Sequence, residues 1–102
     1  MKRNATVFLT LAAFTLMAAT VFAGGEDIFK AKCISCHPDG GNIMKKEKTL
    51  HKKVLEANKL KTAGDLVKYM RAPGPGMPKF DAKALPDKDA KEVAEYILKT
   101  FK

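Results

Sequence analysis

Cys33-Ile34-Ser35-Cys36-His37 is the stretch on which the reading of this sequence turns. Its two thiols stand three residues apart, and an imidazole follows the second directly. On a turn of helix, positions three and four apart share one face. Residues 33, 36 and 37 can therefore address one object together. Cys-x-x-Cys-His is the attachment signature for c-type haem. The thiols add across two vinyl groups as thioethers, and the imidazole ligates the iron from one side. On this reading the prosthetic group supplies the chemistry and the polypeptide tunes it.

Other uses of the two cysteines fit less well. A thioredoxin-like pair would sit beside a βαβ pattern, and no strand pattern is visible. A zinc site needs four ligands, which Cys33, Cys36, His37 and His51 could supply in number. Structural zinc sites usually carry a second closely spaced pair, however, and the two histidines are 14 residues apart. A Cys33–Cys36 disulfide remains for a chain that never receives haem.

The first 23 residues read differently from the rest. Lys2 and Arg3 form a positive start, an apolar run follows, and Val21-Phe22-Ala23 offers small residues at a cut. This predicts a secretory signal peptide over 1–23, cleaved after Ala23. The competing reading is an uncleaved anchor. Residues 7–22 give only 16 positions with three threonines among them, short of the ~20 a span requires. The only cysteines are Cys33 and Cys36, so no cysteine stands at the cut to take a lipid. The expected location is periplasmic or otherwise exported.

What remains is a single expected domain, residues 24–102. A domain of this size buries only about 60–65% of its unfolded surface, and small exported domains usually need a staple. A covalently bound haem would supply the missing core.

Lys2 and Arg3 account for two of the 19 basic residues; the rest face 11 acidic ones, so the expected mature chain is basic. Lys45, Lys46, Lys48, Lys52 and Lys53 form the densest cluster. It reads as a solvated face, or as a docking patch where charge speeds encounter with an acidic redox partner. An exported chain without a recognition motif points away from nucleic acid.

Hydrophobic spacing predicts four helices. Residues 26–36 place Phe29, Cys33 and Cys36 on one face, and Pro38 with Gly40-Gly41 ends the helix. Residues 42–48 read as loop. Thr49 is expected to cap a short helix through Asn58, with Leu50, Val54 and Leu55 inward. Thr62 caps a third helix over 63–72, with Asp65 completing a capping-box-like start. Its apolar positions are Leu66, Tyr69 and Met70. Pro73-Gly74-Pro75-Gly76 stops regular structure. The last helix, from Pro86 or Asp87 to Thr100, keeps helical periodicity through Ala90, Val93, Ala94, Ile97, Leu98 and Phe101. Asp87 and Asp89 suit its positive end, and Lys99 and Lys102 its negative end. Nothing alternates with period two, so the fold class is all-α.

The iron needs a second axial ligand or stays open. Met44 lies only seven residues after His37, with little chain to cross the haem edge. Met70 sits four residues after Leu66, the ordinary place of a core methionine. His51, in Leu50-His51-Lys52-Lys53, belongs on the wet side of its helix. Met77 differs: it lies in Gly74-Pro75-Gly76-Met77-Pro78, a stiff loop with no helical face to bury. Forty residues separate it from His37, ample chain to reach the far haem face. Met77 is therefore the expected ligand. His37 should donate its other ring N–H to a backbone carbonyl.

With these residues in place, the chain resembles the class I c-type cytochromes, and their cytochrome c6-like monohaem branch most closely. The resemblance runs over residues 24–101. Gly25 and Phe29 precede Cys33, Cys36 and His37; Gly40-Gly41-Asn42 and Lys48-Thr49-Leu50 match the loop beside the haem. Met77-Pro78-Lys79-Phe80 matches the ligand loop, and Leu85-Pro86-Asp87 through Leu98 the C-terminal helix. The resemblance implies a small haem-wrapping fold whose first and last helices cross near Gly25, Phe29 and Tyr96. It implies one covalently bound haem c, held by Cys33, Cys36, His37 and Met77, and a monomeric electron carrier between protein partners rather than an enzyme. It also suggests that Asn42 and Thr49 help to position the haem. The segment before Met77 is shorter than in many photosynthetic members, so the resemblance does not extend to a photosynthetic partner. The competing function is a haem enzyme or gas sensor whose sixth ligand dissociates. No distal acid–base residue in the loop suits that role.

Overall fold

The computed structural model describes residues 24–102. The predicted signal peptide at 1–23, and with it the cleavage site, lies outside the described residues. Four helices follow in order: α1 (Gly24–Lys32), α2 (Lys52–Ala57), α3 (Ala63–Arg71) and α4 (Asp87–Thr100). No strand occurs among the described residues, and the fold is all-α.

α4 is the longest element, and its apolar stripe makes most of the core. Ala90, Val93, Ala94 and Ile97 are buried along it. Burying Val93 and Ile97 stabilises the fold by roughly 1.5–3 kcal/mol each. Asp87 and Asp89 stand in its first turn and Lys99 in its last, as the helix dipole favours.

α1 crosses α4 at Gly25. A Cβ there would lie 2.6 Å from the Glu92 carbonyl oxygen and 2.8 Å from Tyr96 Cβ, so the two backbones meet only because residue 25 has none. One turn on, Phe29 is buried, with its ring centroid 5.6 Å from Tyr96 and 5.3 Å from Phe101. The terminal helices thus cross at the residues that the resemblance implied.

α3 starts where its capping box dictates. Thr62 Oγ1 accepts from the Asp65 N–H at 3.1 Å, and Asp65 Oδ2 accepts from the Thr62 N–H at 3.1 Å. Leu66 and Met70 carry its buried face, which packs against α4.

Helix boundaries differ from the sequence reading by one or two residues at several ends, and by more at the end of α1. α1 ends at Lys32 rather than 36, because the Ile34 N–H reaches back five residues to the Phe29 carbonyl. Such a step breaks the α-helical register. α2 begins at Lys52, not after Thr49. The Thr49 hydroxyl accepts from the His51 N–H at 3.3 Å, and His51 takes the N-cap position without a side-chain cap. Leu55 reaches the core, while Leu50 and Val54 are only partly buried.

Leu85, 1% exposed, is a core residue outside any helix. No periodicity marks it, because it belongs to the loop that leads into α4. The core it joins holds no buried polar or charged side chain among the described residues.

Candidate functional site

Past the end of α1 the chain keeps helical hydrogen bonds for one further turn. The Cys36 and His37 N–H groups both donate to the Cys33 carbonyl, at 3.2 and 2.9 Å. This is the local geometry the Cys-x-x-Cys-His spacing needs, although it lies outside the regular helix.

A tight turn over Pro38–Gly40 follows, with left-handed φ angles of 54° at Asp39 and 80° at Gly40. Gly40 N–H donates to His37 O at 3.1 Å and Gly41 N–H to Pro38 O at 2.8 Å. The turn brings the Gly41 carbonyl back to the imidazole, 2.7 Å from His37 Nδ1. A carbonyl only accepts, so Nδ1 carries a proton, and in the neutral ring Nε2 keeps its lone pair. Gly41 is the carbonyl that spacing alone did not name.

The same turn is seated on the far end of the chain. Gly40 is buried, and a Cβ there would lie 2.6 Å from the Phe101 ring. Its carbonyl accepts from the Leu50 N–H at 2.7 Å, and the Phe101 carbonyl accepts from the Lys52 N–H at 3.1 Å.

Cys33 and Cys36 are both free thiols. Burial pushes the Cys33 thiol up to about 11, against the pull of Lys32 and with a smaller push from Cys36. It stays protonated near neutral pH.

The loop between α3 and α4 carries Met77. The Gly74 N–H donates to the Tyr69 hydroxyl at 3.1 Å, and a Cβ on Gly74 would lie 2.9 Å from that oxygen. The Phe80 N–H donates to Met70 O at 3.0 Å. Asp81 Oδ1 accepts from the Lys83 and Ala84 N–H groups at 3.0 and 2.9 Å. Those bonds hold its carboxyl below the usual carboxylate range, the Ala84 bond contributing most.

Both stretches line one cleft of about 240 Å³. Cys33, Cys36, His37 and Met77 all border it, together with apolar side chains that include Leu55, Leu66, Phe80 and Ile97. The charged residues on its lining are Lys32, Lys45 and Lys48, with no carboxylate among them. This chemistry fits a haem. Two free thiols and an imidazole with an available nitrogen come from one turn, the walls are apolar, and the cationic rim suits anionic propionates.

Met44 and Met70 border the cleft as well as Met77. Met70 is packed into the core, and Met44 is 63% exposed. His51 is not on the lining; it stands on the surface with its ring edge-on to Phe101, centroids 6.2 Å apart. Among the described residues, no three of His, Cys, Asp and Glu converge as metal ligands, so the zinc alternative is without its ligand set. Asn42 and Thr49 also border the cleft. The Asn42 side chain folds the 42–48 loop: Oδ1 accepts from the Met44 and Lys45 N–H groups, and Nδ2 donates to Lys48 O, each at 2.9 Å.

Arg71 is a residue beside the loop between α3 and α4 that sequence reasoning did not single out. Its guanidinium donates to the carbonyls of Phe80 and Leu85 and pairs with Asp87. In the sequence it reads as an ordinary cation at a helix C-terminus, and no spacing rule marks such distant acceptors.

The chain is similar to several known proteins. The family model described as cytochrome c oxidase, cbb3-type, subunit III matches residues 20–97. Cytochrome c6 of Pyropia yezoensis is 35% identical over 104 residues, covering 96% of this chain and 94% of that protein. Cytochrome c6 of Cyanidium caldarium is 39% identical over 74 residues, covering 72% and 66%. Among solved structures, OmcF, the outer membrane cytochrome F of Geobacter sulfurreducens, superposes with a TM-score of 0.75 at 42% identity, covering 76% of this chain and 99% of that one. Cytochrome c6 of the diatom Phaeodactylum tricornutum gives a TM-score of 0.70 at 32% identity, over 76% and 91%.

Proposed function

The chain belongs to the class I c-type cytochromes, and from that premise we propose that it carries single electrons between protein partners through a His37- and Met77-ligated haem. Such a chain holds one haem c covalently, here through Cys33 and Cys36. Residues 24–102 act as one exported soluble domain, and residues 1–23 as the leader removed on export. No helix among the described residues is long and apolar enough to cross a membrane.

The observation that carries the reading is one cleft bordered by Cys33, Cys36, His37 and Met77. When bound, the haem would supply a one-electron couple. The protein supplies the rest. The bond from His37 Nδ1 to Gly41 O, at 2.7 Å, fixes the tautomer and would leave Nε2 free to hold the iron. A Met77 thioether as second ligand favours the reduced state over what a second imidazole would give. The apolar walls disfavour the extra charge of the oxidised state in the same direction. Were His37 and Met77 both to hold the iron, no coordination site would be left for a substrate, and electron transfer would be the remaining chemistry.

The partner we infer is acidic. Ile34, Ile43 and Met44 are the large apolar side chains exposed among the described residues, and Lys45, Lys46 and, after Glu47, Lys48 follow Met44 in the sequence. Met44, Lys45 and Lys48 border the cleft itself. An apolar contact with lysines beside it fits a protein surface rich in carboxylates.

Voltammetry of the haem-loaded protein tests the function. A reversible one-electron wave is expected, with no carbon monoxide uptake by the reduced protein at neutral pH. Ready carbon monoxide binding would instead establish the open-site enzyme or sensor. Electron-transfer rates with an acidic partner should fall as salt rises; rates that stay flat would remove the charged docking surface.

A further inference from the structure

Arg71 closes α3, and the 72–86 loop leaves the helix directly after it. Its Nη1 donates to Phe80 O at 3.1 Å and to Leu85 O at 2.7 Å, while Nη2 meets Asp87 Oδ1 at 2.6 Å. All three acceptors lie beyond Met77 in sequence. The Phe80 N–H also returns to Met70 O, one residue before Arg71. The chain therefore departs from the end of α3, passes through Met77 and is tied back to that same end at Phe80.

Inside this closed loop Met77 packs in part against the core, and its hydrogen bonds add little more. Its own N–H has a long bond to Gly74 O, 3.4 Å. Gly76 before it has a φ of +94° and open space around its α-carbon. The outgoing limb is pinned at Gly74 by the Tyr69 hydroxyl, and the returning limb by Arg71. Of the Arg71 contacts, the two carbonyls matter most. Asp87 is 91% exposed, and a pair so wet contributes little. The planar guanidinium suits the task, because its donors point in fixed directions and reach three acceptors at once; an ammonium has no such fork.

We propose that Arg71 is the positioning residue for Met77: by clamping the Phe80 and Leu85 carbonyls it holds the returning limb of the loop, and so holds the thioether in the cleft. The proposal rests on Met77 being the second axial ligand.

Imidazole titration of the oxidised, haem-loaded protein tests it. Added imidazole binds only while Met77 is away, so its apparent affinity reports the fraction released. Arg71→Gln is expected to tighten that affinity about tenfold, and Arg71→Lys to fall between it and the parent. Asp87→Asn should change it less than about twofold. Met77→Ala sets the upper limit. Val93→Ala, in the α4 core, lowers unfolding stability and should leave imidazole binding where it was. Unchanged affinity in Arg71→Gln, with Met77→Ala tighter than the parent, would overturn the Arg71 role and leave the ligand standing. A Val93→Ala gain as large as that of Arg71→Gln would also overturn it, since general softening would then suffice. If Met77→Ala binds imidazole no better than the parent, the ligand assignment fails and the proposal with it.

Discussion

The turn over residues 33–41 and the loop over residues 72–86 border the same cleft but are held in contrasting ways. The turn's bonds around Cys33 and His37 are local, although Gly40 is seated on Phe101 and accepts from Leu50: Cys33 O receives the N–H groups of Cys36 and His37, and Gly41 O receives His37 Nδ1. Each of those bonds spans three or four residues. The loop has short-range bonds too, around Asp81, but its returning limb is tied across longer spans. Arg71 reaches Phe80, Leu85 and Asp87, and Lys32 of α1 donates through Nζ to Ala84 O at 2.7 Å. A ligand held by near neighbours should be lost only with the fold. One held by distant clamps can be released while the fold stands.

Substitutions at two glycines put that difference to its strongest test. Gly40→Ala places a Cβ 2.6 Å from the Phe101 ring at a φ of +80°. Overpacking and backbone strain together should cost about 2–4 kcal/mol. Denaturant unfolding of the haem-loaded protein would record it, with the spectrum of the surviving folded fraction unchanged. Gly76→Ala meets nothing within 4 Å but must still adopt a φ of +94°. Its cost, roughly 1–3 kcal/mol of strain, should fall on the loop. Imidazole affinity should rise while the unfolding midpoint moves less than in Gly40→Ala. Equal global losses at the two positions would break the distinction.

The two regions also differ in how far the sequence revealed them. Cys33, Cys36 and His37 were legible because their spacing is helical and their bonds are local. α4 and the α3 capping box were legible for the same reason, since period and cap chemistry are carried by residues a few positions apart. The end of α1 was placed four residues too late: apolar spacing continues through Cys36, but the Ile34 N–H bond to Phe29 O shifts the register. Thr49 looked like a cap and instead received the His51 N–H. The contacts of Arg71 and the core place of Leu85 were invisible. The partners of Arg71 lie 9, 14 and 16 residues away, and Leu85 belongs to no period. Met77 was singled out by its stiff loop, whereas the clamp on that loop was not.

Acid should sharpen the contrast by a smaller margin. Backbone N–H donors hold two carboxyls below their usual range: Asp65, mainly through Thr62 and Lys61, and Asp81, mainly through Ala84 and Lys83. The stability they lend is present above the ordinary carboxylate range and is lost as pH falls through their lowered folded values. Asp81 sits in the loop, so its protonation should free Met77 before the 33–41 turn yields. Asp81→Asn should weaken the dependence of imidazole affinity on acid pH. Asp65→Asn should instead flatten the acid limb of the unfolding midpoint and leave imidazole binding alone. Identical acid profiles for the two variants would contradict this assignment.

The most direct measurement is the far-red absorption of the oxidised, haem-loaded protein, where an iron–thioether bond gives a weak charge-transfer band. That band is expected in the parent and absent in Met77→Ala, with the haem still covalently attached through Cys33 and Cys36. A band that survives Met77→Ala would contradict the account, because another residue would then be holding the iron.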